Sequence, residues 1–160
     1  MAWTTPPTYV AGAILTAAQM NAVSGNFDVL APFTAAWTPF TPTLTQPGAI
    51  AKTTNHASYV QVGKLVTVAF HLTATGAGTA ANSMAVGLPV ASAVTTLLIG
   101  SGAIYDASAG TTYSGQWFNT TATSVIFVGD WSGPNSWGVT PAIALANNDI
   151  IRGTLTYQAA

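Results

Sequence analysis

The chain of 160 residues has no cysteine and no glutamate, and it has little charge of either sign. Without cysteine there is no disulfide, no thiolate metal site and no cysteine nucleophile. Charged residues make up 4% of the chain, against about 25% in an ordinary soluble domain. Because so few charges provide little repulsion between copies of the chain, we expect its surface to be covered by further copies or by a larger assembly. The alternative is a surface kept in solution by hydroxyl and amide side chains.

Three further absences exclude other classes of protein. The only cations are Lys52, Lys64 and Arg152, too few for the basic surface that nucleic-acid binding requires. The first residues lack the basic and apolar segments of a signal peptide, and no run approaches the roughly 20 apolar residues of a membrane span. With 49% hydrophobic residues, intrinsic disorder is excluded as well. We expect neither a nucleic acid nor a membrane as partner.

The titratable side chains form no catalytic or metal-binding motif. His56 and His71 are not at zinc-ligand spacing, and no Gly-x-Ser-x-Gly nucleophile motif occurs. The glycine-rich stretch 76–80 lacks the lysine of a phosphate-binding loop and is typical of a hairpin tip. We therefore predict a protein that is not an enzyme and binds no metal or cofactor.

Residues 16–31 are the only stretch with helical spacing. Thr16 and Gln19 fit a capping box, in which each side chain accepts a hydrogen bond from the other residue's backbone N–H, and Pro32 ends the helix. The apolar residues are spaced as in a two-heptad seam: Met20, Val23, Phe27 and Leu30. This seam either packs on the chain's own β-domain or joins copies of the helix at a symmetry axis. The second interpretation is favoured because the seam is narrow and the other helix faces carry little charge.

Residues 1–15 are predicted to form an extended attachment arm. Pro6-Pro7 enforces an extended backbone, and the large side chains nearby have little local structure to cover them. An extended segment with aromatic anchors suits a groove on a partner. The candidate docking residues are Trp3, Pro6, Pro7, Tyr9 and Val10. The alternative is a frayed terminus.

Residues 35–160 are predicted to form an antiparallel β-sandwich, jelly-roll-like, of about eight short strands separated by turn residues. The clearest signal is a hairpin that turns at Gly63-Lys64. After this turn one face is predicted to hold Val66, Val68, Phe70 and Leu72. The last strand is expected to place Ile151, Gly153, Leu155 and Tyr157 on one face.

A cluster of aromatic residues in glycine- and proline-rich turns keeps a ligand hypothesis open. Trp117, Trp131 and Trp137 lie close to asparagine, serine and aspartate residues, and such a set suits the stacking and hydrogen bonding of sugar rings. The alternative is that these side chains fill the core or a contact between subunits.

Three segments together resemble structural proteins of tailed bacteriophages, especially those that infect actinobacteria. "WTTPPTYVAGAILTAAQMNAVSGNFDVL" looks like the N-terminal attachment motif of that group, and "WTPFTPTLTQ", "ASYVQVGKLVTVAFHLT" and "VGLPV" are similar to strands of their fibre and tail domains. The ending "NNDIIRGTLTYQAA" is similar to their closing strand. Residues 91–142 have no counterpart in this resemblance.

The resemblance implies a trimeric β-sandwich on the surface of a virion, made in the host cytoplasm and attached by its arm and helix. A fibre would need a long shaft of repeats, and none is present, so a capsid decoration protein is the first expectation. Its partners would be two further copies of the chain and the major capsid protein or another virion protein. The alternatives are a tail-tip or fibre protein that recognises host glycans through the tryptophan cluster, and a free carbohydrate-binding module.

Overall fold

The computed structural model describes Thr5 and residues 7–30, 36–129 and 136–160, without the side chains of residues 28–30. Trp3, Pro6, Trp131 and the side chain of Leu30 therefore lie outside the described residues. The chain divides into two compact units, an N-terminal unit of residues 1–36 and a β-unit of residues 37–160.

The N-terminal unit contains one helix, α1 (Ala17–Leu30), which matches the predicted helix to within one residue at each end. The predicted capping box is confirmed. The backbone N–H of Gln19 donates to Thr16 Oγ1 at 3.2 Å, and the backbone N–H of Thr16 donates to Gln19 Oε1 at 2.9 Å. These bonds satisfy two backbone donors at the helix start, so the sequence itself fixes where α1 begins.

Residues 7–16 precede the helix without regular secondary structure except for a turn at Ala11-Gly12. The backbone N–H of Ala13 donates to the carbonyl of Val10 at 3.1 Å across this turn. Gly12 has a φ of +82°, a conformation that favours glycine.

The described residues of the β-unit form one nine-stranded sheet in which every pair of neighbours is antiparallel, so the prediction of a mainly β chain with one short helix is confirmed. The sheet order is β1-β3-β4-β9-β6-β7-β8-β5-β2. The strands are β1 (Thr38–Pro39), β2 (Leu44–Thr45), β3 (Lys52–Val62), β4 (Leu65–Ala74), β5 (Ala85–Gly87), β6 (Leu98–Asp106), β7 (Thr111–Thr121), β8 (Ser124–Val128) and β9 (Ile150–Gln158).

The predicted hairpin and its buried face are confirmed. β3 and β4 pair up to Val62 and Leu65, and Gly63 in the turn has a φ of +58°. The four predicted core residues of β4 are all buried, while the residues between them are half-buried on the opposite face. In β9 the predicted face is also the inner one, with Ile151, Leu155 and Tyr157 buried.

The core lies against one face of the sheet, which curls around it. Trp117 of β7 is one of its two tryptophans, with Phe70 of β4 at a ring-centroid distance of 5.1 Å and Phe127 of β8 at 4.9 Å. Space for the indole comes from glycines: Gly153 of β9 and Gly102 of β6 are direct cross-strand partners beneath it. The sequence places glycine where two strands must accommodate one large ring.

Replacing Gly153 with Ala should therefore destabilise the β-unit by about 3 kcal/mol, the upper end of overpacking costs. The new Cβ would lie 2.7 Å from Phe70 Cζ and closer still to Trp117 Nε1, so two packed rings must move. Chemical denaturation followed by tryptophan fluorescence measures this loss.

The matched control is Gly48→Ala, whose new methyl group would have no heavy atom within 4 Å. It should change the free energy of unfolding by less than about 0.5 kcal/mol. Equal stabilities of the two variants would contradict the packing of the indole against the glycines.

The glycine-rich stretch 76–80 is not a hairpin tip, so that prediction is wrong. It lies in the connection from β4 to β5, strands that are far apart in the sheet order, and the chain there passes over a buried glutamine. The backbone N–H of Gly78 donates to the carbonyl of Leu145 at 2.8 Å, and a Cβ at Gly78 would collide with Gln46 Oε1. These glycines allow close contact between loops rather than a tight turn.

Gln46 is 1% exposed, and its side-chain amide joins its own loop segment to two others. Nε2 donates to the carbonyls of Asn82 at 3.0 Å and Ile143 at 2.8 Å, while Oε1 accepts from the backbone N–H of Leu145 at 2.7 Å. Both amide hydrogens are used, so this buried polar group is satisfied.

Candidate functional site

The helix seam is exposed at the positions that the structure describes. Met20 is 52% exposed and Phe27 67% exposed, and Val23 between them is half-buried. The side chain of Leu30, the fourth seam position, lies outside the described residues. Two large apolar side chains at seam spacing thus face solvent in the single chain.

The segment before the helix also exposes large apolar side chains. Tyr9 is 49% and Val10 70% exposed, whereas Pro7 is half-buried. Two residues that the sequence interpretation did not select belong to the same set, because Ile14 is 93% and Leu15 50% exposed. Their exposure could have been suspected from the unbroken apolar stretch that they form with Ala13.

The sugar-stacking interpretation is wrong for Trp117 and Trp137. Both side chains are fully buried in the core, and Trp137 contacts Tyr113 edge-on at a centroid distance of 6.2 Å. An indole without an exposed face cannot stack on a sugar ring, so the alternative weighed for these two residues, core packing, is what the structure shows. Trp131 lies outside the described residues.

The outer face of the sheet, opposite the core, carries a row of basic side chains that no local sequence motif indicated. His56 of β3 is the cross-strand partner of His71 of β4, which is the partner of Arg152 of β9. Ala103 of β6 and Ser114 of β7 complete the row across five strands. We call His56, His71 and Arg152 the basic row.

The basic row lines a shallow depression of about 560 Å³. Its floor is built of small residues, including Ala69, Ala103 and Ser101. Two further depressions adjoin it: one shares Ala103 and Arg152 with it, and the other shares Ser101 and Thr154. Together the three depressions form one trough along β6 and β9, which we call the outer trough.

Burial and the neighbouring groups of the basic row both disfavour protonation of His71. Burial of the ring lowers the pKa of His71, and the positive charges of Arg152 and His56 lower it further. His71 Nε2 is buried without a hydrogen-bond partner among the described residues, whereas His56 Nε2 shares a hydrogen bond with Ser58 Oγ at 2.9 Å. The row therefore combines the guanidinium of Arg152 with two imidazole side chains.

Two of the aspartates come together, and both accept hydrogen bonds from nearby loops. Asp149 accepts from the backbone N–H groups of Ala107 at 2.9 Å and Ala146 at 2.8 Å, and Asp106 accepts from Ser108 Oγ and the backbone N–H of Ala109. Burial raises the pKa of Asp149 despite these bonds, and the neighbouring Asp106 raises it further. The pair fixes the β6–β7 turn and the approach to β9.

The rest of the described chain contains neither a metal-binding cluster nor a membrane-spanning helix. Within those residues no group of three or more histidine, cysteine or acidic side chains is placed to hold a metal ion. The helix is too short to cross a bilayer, and the described residues contain no other helix that could do so.

The comparisons with known proteins give no relative. No protein-family model matches the chain, and neither a curated protein nor a solved structure is significantly similar to it.

Proposed function

We propose that this chain is a structural protein of a bacteriophage virion, a trimeric capsid decoration protein attached to the particle surface by its N-terminal unit. The exposure of large apolar side chains at residues 9–27 carries the proposal. Tyr9, Val10, Ile14, Met20 and Phe27 are all at least 49% exposed. Residues 1–27 contain no charged side chain, so burying this segment removes no charged side chain from water.

In this proposal the two parts of the N-terminal unit have different partners. Met20, Val23, Phe27 and Leu30 of three helices meet at a threefold axis, because an isolated helix of this length is marginal unless its apolar seam is covered. The residues before the helix dock in grooves of the major capsid protein. The capping box fixes the start of α1 and thereby separates the two parts.

The β-unit covers the particle surface, and we propose that its curled sheet closes into a jelly-roll-like sandwich. Its core contains Phe70 and Trp117 from strands on opposite sides of β9 and β6. A protein that binds only the assembled lattice stabilises that lattice by mass action.

Deleting residues 1–12 should abolish binding to capsids assembled without this chain, while the β-unit keeps its unfolding midpoint. Co-sedimentation with such capsids measures the binding. A milder pair of variants separates docking from folding: Val10→Ser should weaken binding, whereas Leu98→Ser, at a similarly exposed site of the β-unit, should not. Full capsid binding by the deletion variant would overturn attachment by this segment.

A further inference from the structure

We propose that the outer trough is a binding site for an acidic polysaccharide, an extended chain with carboxylate or phosphate groups, held by Arg152, His71 and His56. This inference is independent of the proposed function, since it rests on the β-unit alone. Its starting point is the register of the sheet, which brings the three basic side chains into one row across β3, β4 and β9.

The positive charge of Arg152 faces no acidic side chain in the described part of the trough. Among the described residues no carboxylate lines any of its three depressions, and Asp106 and Asp149 are buried and occupied by hydrogen bonds. Arg152 is exposed and has no ion-pair partner in the described part of the chain. In a chain with only three cations, one of them is the cross-strand partner of His71, which in turn is the partner of His56. An anionic group is the ligand that complements this arrangement.

The shape of the trough favours an extended polymer over a small ion. The depressions follow β6 from Tyr105 to Leu98, a distance of roughly 20 Å at the usual rise of a strand. Hydroxyl and amide groups line it on both sides of the basic row: Thr67, Ser101, Thr112, Ser114, Gln116, Thr154 and Thr156. Such groups suit the hydroxyls of a glycan, while small floor residues leave room for its rings.

Proton binding should be coupled to ligand binding. The charged and titratable groups that face His71 are His56 from β3 and Arg152 from β9, and both disfavour its protonation. An anion bound in the trough opposes these effects because it stabilises the protonated form of His71. By linkage the ligand then binds more tightly in acid. Its affinity increases about tenfold for each unit by which the bound ligand raises the pKa of His71.

The test is isothermal titration of the full chain with an oligogalacturonate, a neutral dextran of similar length and inorganic phosphate, at pH 5.5 and pH 7.5. We expect binding of the oligogalacturonate alone, about tenfold tighter at the lower pH. Arg152→Gln should weaken it by about tenfold or more, as expected for loss of a charged hydrogen bond. His71→Gln should reduce the pH dependence. Lys64→Gln, which removes a cation from the β3–β4 turn, should change affinity less than twofold.

Several results would overturn the proposal. The first is no binding of the oligogalacturonate at either pH. The second is an equal loss of affinity in Arg152→Gln and Lys64→Gln. The third is binding of inorganic phosphate as tight as that of the polymer, which would indicate a site for single anions. A change of oligomeric mass in Arg152→Gln would instead identify the trough as a contact between copies. Thermal unfolding of each variant checks that the β-unit is intact.

Discussion

Replacing Gln46 with Met should lower the free energy of unfolding of the β-unit by about 4 kcal/mol, since each buried polar group left unpaired costs about 1–3 kcal/mol. Methionine keeps the length and volume of the side chain, so the change removes hydrogen bonds without opening a cavity. It leaves the N–H of Leu145 and the carbonyls of Asn82 and Ile143 without their side-chain partner. Urea denaturation with fluorescence detection measures the loss.

Gln61→Met provides the matched control. Gln61 is exposed and makes one side-chain hydrogen bond, from Nε2 to the carbonyl of Gly63 at 2.9 Å. Its replacement should change stability by less than about 0.5 kcal/mol. If the two methionine variants were equally stable, Gln46 would not be the group that holds the three loop segments together.

Phe27→Asp should convert a trimer into a monomer. In the proposed assembly three copies of Phe27 meet at the axis, and three carboxylates there would be buried unpaired and would repel one another. The effect on the β-unit should be negligible, because Phe27 lies in the other compact unit. Light scattering after gel filtration measures the mass, and thermal unfolding of the β-unit shows that the fold is retained.

The control is Asn21→Asp, which adds the same charge to the same helix away from the seam. Asn21 is exposed and follows Met20 by one residue, so it faces another direction. This variant should remain trimeric. Dissociation of both variants would point to a general effect of charge on the helix, and dissociation of neither would remove Phe27 from the axis.

Local patterns in the sequence predict local structure well in this chain. The capping box set the start of α1 because its hydrogen bonds join residues three apart, and the alternation of β4 and β9 identified their buried faces. The Gly63-Lys64 turn was predicted because it too depends on adjacent residues. Each of these features depends on neighbours in the sequence.

The features that the sequence did not predict depend on strand order. His71 and Arg152 are 81 residues apart and become partners only because β9 inserts between β4 and β6. Trp117 was open to two interpretations, since its burial depends on glycines in two other strands. The role of residues 76–80 was missed because Gln46, which they cover, is distant in sequence. Without the sheet order, no local pattern shows that the side chains of the basic row lie next to one another.

The central claim is that the exposed apolar seam of α1 joins copies of the chain, and sedimentation equilibrium of the intact protein tests it most directly. The account predicts a single species with three times the 16.3 kDa mass of the chain at micromolar concentration. A stable, soluble monomer over the same concentrations would contradict it.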